Sequence, residues 1–141
     1  MKKQFHYHIA TFAEFIRARD RLPDWMKLFL ALYSKEEYQE IRASTYLSST
    51  QKSGYGIDQE RNLISVFSLP GAKEGDSAVK DGIRRGACQL NCIGKKLSKY
   101  YREEHNFEEY RRDKWDDRQA PPGWDHKRWG KPDIIYMRLK K

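Results

Sequence analysis

Leu63-Ile64-Ser65-Val66-Phe67-Ser68-Leu69-Pro70-Gly71-Ala72-Lys73-Glu74-Gly75-Asp76-Ser77 passes from an apolar run into small and polar residues. The β-branched and aromatic residues at its start predict a strand over Leu63–Ser68. Pro70, Gly71 and Gly75 then mark a turn from Leu69 to Asp76. Ser77 through Arg85 reads as a helix with Val79 and Ile83 inward, and Gly86 stands where a left-handed residue closes it. The start of a helix offers free N–H groups and the positive end of its dipole, a combination that suits a phosphate. Gly71 and Gly75 let the backbone approach such a group, and Lys73 adds a compact positive charge. Glu74 and Asp76 must point away from it, and Asp76 is a candidate helix cap. The same residues also read as an ordinary strand-to-helix connection.

Upstream, His6 to Ala10 predicts a short strand, with His6 and His8 as surface residues. Thr11 is a fair N-cap for a helix to about Arg21 carrying Phe12, Phe15 and Ile16 on one face. Pro23 opens a second helix, where Met26, Phe29, Leu30 and Tyr33 fall at helical spacing. Ser34-Lys35-Glu36-Glu37 has the capping-box pattern and starts a third helix to about Ala43, burying Tyr38 and Ile41. Strands follow near Thr45–Thr50 and Ser53–Ile57, and 58–62 is a hairpin loop before the opening strand.

Downstream, Ala87 to Ile93 is a strand, Lys95 to His105 a helix, Glu108 to Trp115 a strand and Asp133 to Leu139 the last strand. The run Gln119-Ala120-Pro121-Pro122-Gly123-Trp124 must be a loop. A length of 141 residues fits one domain over 1–141. Large side chains suffice for a core, with 38% hydrophobic and 13% aromatic residues.

No stretch approaches the roughly 20 apolar residues of a membrane span, and Met1-Lys2-Lys3 is not followed by a signal-peptide run, so a cytoplasmic location is expected. Cys88 and Cys92, four apart in one strand, lie roughly 13 Å apart, too far for a disulfide, and read as two buried thiols. No structural metal is expected. The net charge of +8 favours acidic partners. Residues 95–141 carry 14 Lys/Arg against 9 Asp/Glu and end in the basic tail Arg138 to Lys141, placing the excess in the last third.

The order strand, glycine turn, helix, strand, helix, strand over 63–115 resembles the second half of the GNAT N-acetyltransferase superfamily. That family has a pyrophosphate turn of the form Q/R-x-x-G-x-G/A and a later aromatic signature, F-Y-x-x-x-G-F. Gly71-Ala72-Lys73-Glu74-Gly75-Asp76 matches the first, with Pro70 at the Q/R position and Lys73 at that of the first glycine. Tyr100-Tyr101 through Asn106-Phe107 matches the second, one residue longer and with Asn106, the next-best left-handed residue, replacing glycine. Pro132 to Met137 resembles the closing strand. The compact arrangement is also similar to small acetyltransferase-like proteins encoded by bacteriophages, for which a host cytoplasm would be the location.

The resemblance implies an α/β (α+β) fold with a central mixed, mostly antiparallel sheet of six to seven strands flanked by helices. It also implies an N-acyltransferase using acetyl-coenzyme A. Phe67, Ser68, Leu69, Gly71, Ala72, Lys73, Gly75, Asp76 and Ser77 would hold the cofactor. Tyr101 is the implied general acid, with Tyr100 as the alternative. Strand N–H groups would polarise the thioester carbonyl. Asn91 or Ser68 would orient a water, the base is unassigned, and Asn91, Trp124 and Trp129 would face the acceptor amine of a protein, peptide or nucleic acid. Trp115, Trp124 and Trp129, interleaved with basic residues, read either as anchors of a long loop or as a surface for bases. A non-catalytic GNAT-like module that binds a host factor and a basic nucleic-acid-binding protein are the competing readings.

Overall fold

The computed structural model describes residues 5–30 and 32–140; Met1-Lys2-Lys3 and the last residue of the basic tail lie outside them. Among the described residues, seven strands form two antiparallel sheets of four and three strands, so the expected strand number is divided between two sheets. The chain divides after Cys88 into two compact units.

The first unit contains β1 (Tyr7–Ala10), α1 (Phe12–Arg19), α2 (Asp24–Lys27), α3 (Lys35–Glu40), β2 (Ser44–Ser48), β3 (Ser53–Ile57), β4 (Leu63–Ser68) and α4 (Gly75–Arg84). Its sheet runs β1-β2-β3-β4. Successive side chains of a strand face opposite ways, so β3 buries Gly54 under Phe15 of α1 and Tyr55 under α4. Gly82 makes the second packing possible, because a Cβ there would stand 2.6 Å from Leu63 Cδ1. On the α1 side, Phe15 meets Tyr38 and Phe67 edge-on at 5.9 and 5.5 Å. Leu47 and Ile64 complete that core.

Local signals fix the helix starts. Thr11 and Glu14 form a full capping box, and so do Ser34 and Glu37. The predicted long second helix is corrected: Pro23 is the N-cap, and α2 stops after one turn at Lys27. The chain continues in tighter turns, with Phe29 N–H on Met26 O and Leu30 N–H on Lys27 O, both at 3.1 Å. Met26, Leu30 and Tyr33 nevertheless pack on the core, so the apolar stripe is real but its carrier is not a continuous helix. α3 also ends early, because Arg42 takes the left-handed place (φ 52°) and Ala43 N–H bonds Tyr38 O at 3.0 Å. Ile41 is only half-buried.

The second unit contains β5 (Gln89–Ile93), α5 (Gly94–His105), β6 (Phe107–Asp113), a short 3-10 turn (Asp117–Gln119), α6 (His126–Trp129) and β7 (Ile134–Leu139). Its sheet order is β5-β7-β6. α5 covers one face over Leu90, Cys92, Ile135 and Met137. Cys88 precedes β5 and is exposed, which corrects the expected pair of buried thiols; only Cys92 is buried. Burial pushes the Cys92 thiol up to about 12. The strand predicted to reach Trp115 ends at Asp113, its last partner of β7, and α6 lay beyond what the loop residues signalled.

Candidate functional site

The quoted stretch folds as strand, turn and helix. Gly71 (φ 82°) follows Pro70, and Ala72 N–H closes on Leu69 O at 3.0 Å, a tight turn in which proline and then glycine take the two central places. Lys73 is also left-handed (φ 56°), so it adopts the backbone that a glycine would adopt most readily. α4 begins at Gly75, two residues before the predicted start. Asp76 therefore sits inside its first turn rather than capping it, and Glu74 is the N-cap with no side-chain cap hydrogen bond. α1 and α3, by contrast, are both capped by side chains.

Around the turn, a Cβ on Gly71 would meet nothing within 4 Å, and one on Gly75 would only touch Ser68 Cβ at 4.0 Å. Lys73 is exposed. Glu74 is turned away from the turn's outer side, its carboxylate taking hydroxyls of Thr50 and Ser53. Ser68 Oγ accepts the Glu74 N–H at 3.1 Å, so this hydroxyl braces the turn. Ser77 Oγ accepts Phe5 N–H at 3.1 Å. The Phe67 side chain is 3% exposed and belongs to the core, leaving its backbone as the part that can face a ligand.

β4 carries a feature that composition did not reveal. Gly54 pairs Phe67 while Gly56 pairs Ile64, so β4 holds one extra residue there, with Ser65 left-handed at φ 52°. Such a bulge interrupts the ladder, bends the strand and increases its local twist.

In the second unit, Tyr101 is buried with its ring edge-on to Phe107 at 5.9 Å, and burial raises its phenol pKa. Tyr100 is half-buried, and its hydroxyl shares a 2.9 Å hydrogen bond with His105 Nε2. Asn106 is left-handed at φ 61°, as expected for a residue standing in for glycine. Asn91 is exposed on β5 opposite Tyr136. Trp124 is 8% exposed between Trp115 and Trp129, both with centroids at 5.0 Å, and its Nε1 donates to Gly130 O at 2.9 Å. The tryptophans thus pack chiefly on one another, and Trp129 is the more open of the two expected substrate contacts. A shallow cleft bounded by Glu108, Arg138, Leu139 and Lys140 holds none of the expected site residues.

No protein-family model matches the chain, and no curated protein is significantly similar to it in sequence. Solved structures are similar over nearly the whole length. A GNAT family acetyltransferase from Elizabethkingia anophelis, with acetyl-CoA bound, matches with a TM-score of 0.63 at 15% identity, covering 99% of this chain and 100% of that one. An acetyltransferase from Bacillus subtilis in complex with CoA matches at 0.61 and 12% identity, covering 98% and 99%. A ribosomal-protein-alanine N-acetyltransferase from Brucella melitensis matches at 0.55 and 15% identity, covering 96% and 99%. The fold is that of the GNAT acetyltransferases.

Against the GNAT signature, the aromatic pair is out of phase. The signature's tyrosine stands four residues before its glycine; counting back from Asn106, that position is Arg102, which is exposed. One residue on a helix is about 100° of rotation, enough to turn Tyr101 inward and leave Tyr100 to one side.

Proposed function

We propose that this chain is an acyl-coenzyme A-dependent N-acyltransferase acting as one domain, with the turn after β4 as its pyrophosphate site. The observation that carries the reading is the helix start itself: α4 follows a glycine turn on a strand end, with open space over Gly71 and no side-chain cap. The acetyl-CoA and CoA carried by the structures of the same fold supply the chemical class of the ligand.

In this reading the backbones of Gly71, Ala72, Lys73, Gly75, Asp76 and Ser77 hold the pyrophosphate. Lys73 adds its charge, and the backbones of Phe67, Ser68 and Leu69 take the arm that leads to the thioester. The cofactor supplies an acyl group already activated as a thioester. Backbone N–H groups at the end of β4 would polarise the thioester carbonyl toward attack by a neutral amine. Tyr100, whose hydroxyl is hydrogen-bonded to His105 Nε2, would serve as the proton donor to the leaving thiol. Tyr101, enclosed against Phe107, packs the helix. The amine's proton leaves to water, and Asn91 and Trp129 contribute to the acceptor side. The enzyme is cytoplasmic in this reading; among the described residues no helix is long and apolar enough to cross a membrane.

Acetyl-coenzyme A raises the melting temperature of such a protein, and Gly75→Glu abolishes the rise. Saturating coenzyme A that neither shifts melting nor gives heat on titration would sink the proposal. The displaced aromatic signature favours one further reading, a GNAT-like module that binds a partner protein without catalysis. Cofactor binding without turnover on any amine, together with stoichiometric capture of an unmodified protein, would select it.

A further inference from the structure

Glu74 is 2% exposed, and no ion pair to its carboxylate is seen among the described residues; hydroxyls hold it instead. Ser53 Oγ donates to Oε1 at 2.6 Å, and Thr50 Oγ1 reaches the two oxygens at 3.0 and 2.8 Å. Tyr7 OH lies 2.7 Å from Ser53 Oγ. A serine has one proton, and with that proton on Glu74 the tyrosine is the donor, giving a directed chain Tyr7 to Ser53 to Glu74.

The backbone of Glu74 is equally engaged. Its N–H donates to Ser68 Oγ at 3.1 Å and its carbonyl accepts Ala78 N–H at 3.0 Å, while Tyr7 OH, whose proton is given to Ser53, lies 3.3 Å from that carbonyl. One residue thus ties the turn to β1, to the β2–β3 hairpin, to the end of β4 and to the first turn of α4. Burying a carboxylate without a cation is unfavourable, and an apolar side chain would fill the same space without that cost. Beside it, Lys73 holds a left-handed backbone that needs support from its surroundings.

We propose that Glu74 is a positioning residue, whose buried carboxylate fixes the backbone of Gly71 to Gly75 in the shape that receives a pyrophosphate. The inference rests on the acyl-coenzyme A reading above. It assigns to the hairpin residues Thr50 and Ser53 a part in cofactor affinity although neither belongs to the turn.

The test compares the full chain with Glu74→Ala, Glu74→Gln and Thr50→Val. It uses calorimetric titration with coenzyme A and with pantetheine, which lacks phosphate, and hydrogen exchange of residues 69–77. Glu74→Ala should weaken coenzyme A about tenfold or more, as displaced binding groups do, and leave pantetheine unchanged. Glu74→Gln, which keeps one acceptor oxygen, should restore most of the affinity. Exchange in 69–77 should quicken most in Glu74→Ala, less in Thr50→Val, and stay near that of the unaltered protein in Glu74→Gln. Unchanged coenzyme A affinity, an equal loss for both ligands, or unchanged exchange would overturn the assignment. If the unaltered protein binds no coenzyme A, the acyltransferase reading falls separately. The exchange data then decide: quickening confined to 69–77 supports the positioning role, and its absence refutes it. Should Glu74→Ala fail to fold, Thr50→Val takes its place, with an expected loss of about threefold from one missing hydrogen bond.

Discussion

The Tyr55 hydroxyl donates to Asp81, and the same carboxylate is paired with Arg84 and, at 2.9 Å, with Arg85 Nε. Arg85 in turn lies 4.5 Å over the Tyr46 ring and donates to Tyr7 O at 2.9 Å. α4 is thereby bound to three strands, to β3 through the Asp81 carboxylate and to β1 and β2 through the Arg85 guanidinium. Burial works against the charge of Asp81, but bonds from Tyr55, Arg84 and Arg85 outweigh it and hold the carboxyl below its usual range. A depressed folded-state value stabilises above the unfolded value, about 3.9, and is lost as pH falls through the folded one. Asp81→Asn should therefore cost about 3 kcal/mol near neutrality and flatten the acid limb of stability against pH, read by urea melts between neutral and acid pH. An acid limb as steep as in the unaltered protein would refute this.

The two cysteines should differ sharply toward alkylation. Cys88 is exposed, whereas Cys92 is buried with its thiol raised to about 12. Iodoacetamide at mildly alkaline pH should add one label per folded chain, mapped to Cys88, and a second only in denaturant. Two labels on the native protein would contradict the packing of β5.

Gly82→Ala should destabilise by about 2 kcal/mol, because the new methyl must displace Leu63 or lift α4 from the sheet. Gly75→Ala, which meets only Ser68 Cβ at 4.0 Å, should melt close to the unaltered protein. Paired thermal melts test the contrast.

Tyr100 and Tyr101 should separate chemistry from packing. Tyr100→Phe should lower the acyl-transfer rate constant about a hundredfold with little change in melting. Tyr101→Phe should leave the rate within about threefold, because its ring contact with Phe107 survives, whereas Tyr101→Ala should cost about 3 kcal/mol of stability. A larger rate loss for Tyr101→Phe than for Tyr100→Phe would return the acid role to Tyr101.

Features written in a few adjacent residues were legible. Thr11 and Ser34 cap helices, Leu63–Ser68 is a strand to the residue, and Gly86 and Asn106 close helices in the left-handed region. Each depends on local sterics or a hydrogen bond within one turn. The order of elements around the glycine turn also led to the fold. What escaped depends on partners distant in sequence. Arg42 closes α3 in a place where glycine would have announced itself. The extra residue in β4 exists only relative to β3. The burial of Glu74 needs Tyr7, Thr50 and Ser53 brought to it, and nothing in a turn with two carboxylates marks one of them as internal. The phase of Tyr100 and Tyr101 was within reach of the sequence, since counting from Asn106 already points to Arg102.

Lys73 combines two properties that most positions in a protein keep apart. Its left-handed backbone is costly for a side chain bearing a Cβ, by about 1 kcal/mol, while its exposed ammonium is the only basic group between Leu69 and Ser77. Replacement by glycine would relax the first and delete the second at one stroke. Thermal tolerance and anion capture are therefore opposed at this residue, and a lineage selected only for robustness would drift toward glycine. A lysine retained there across such selection would record demand for its charge.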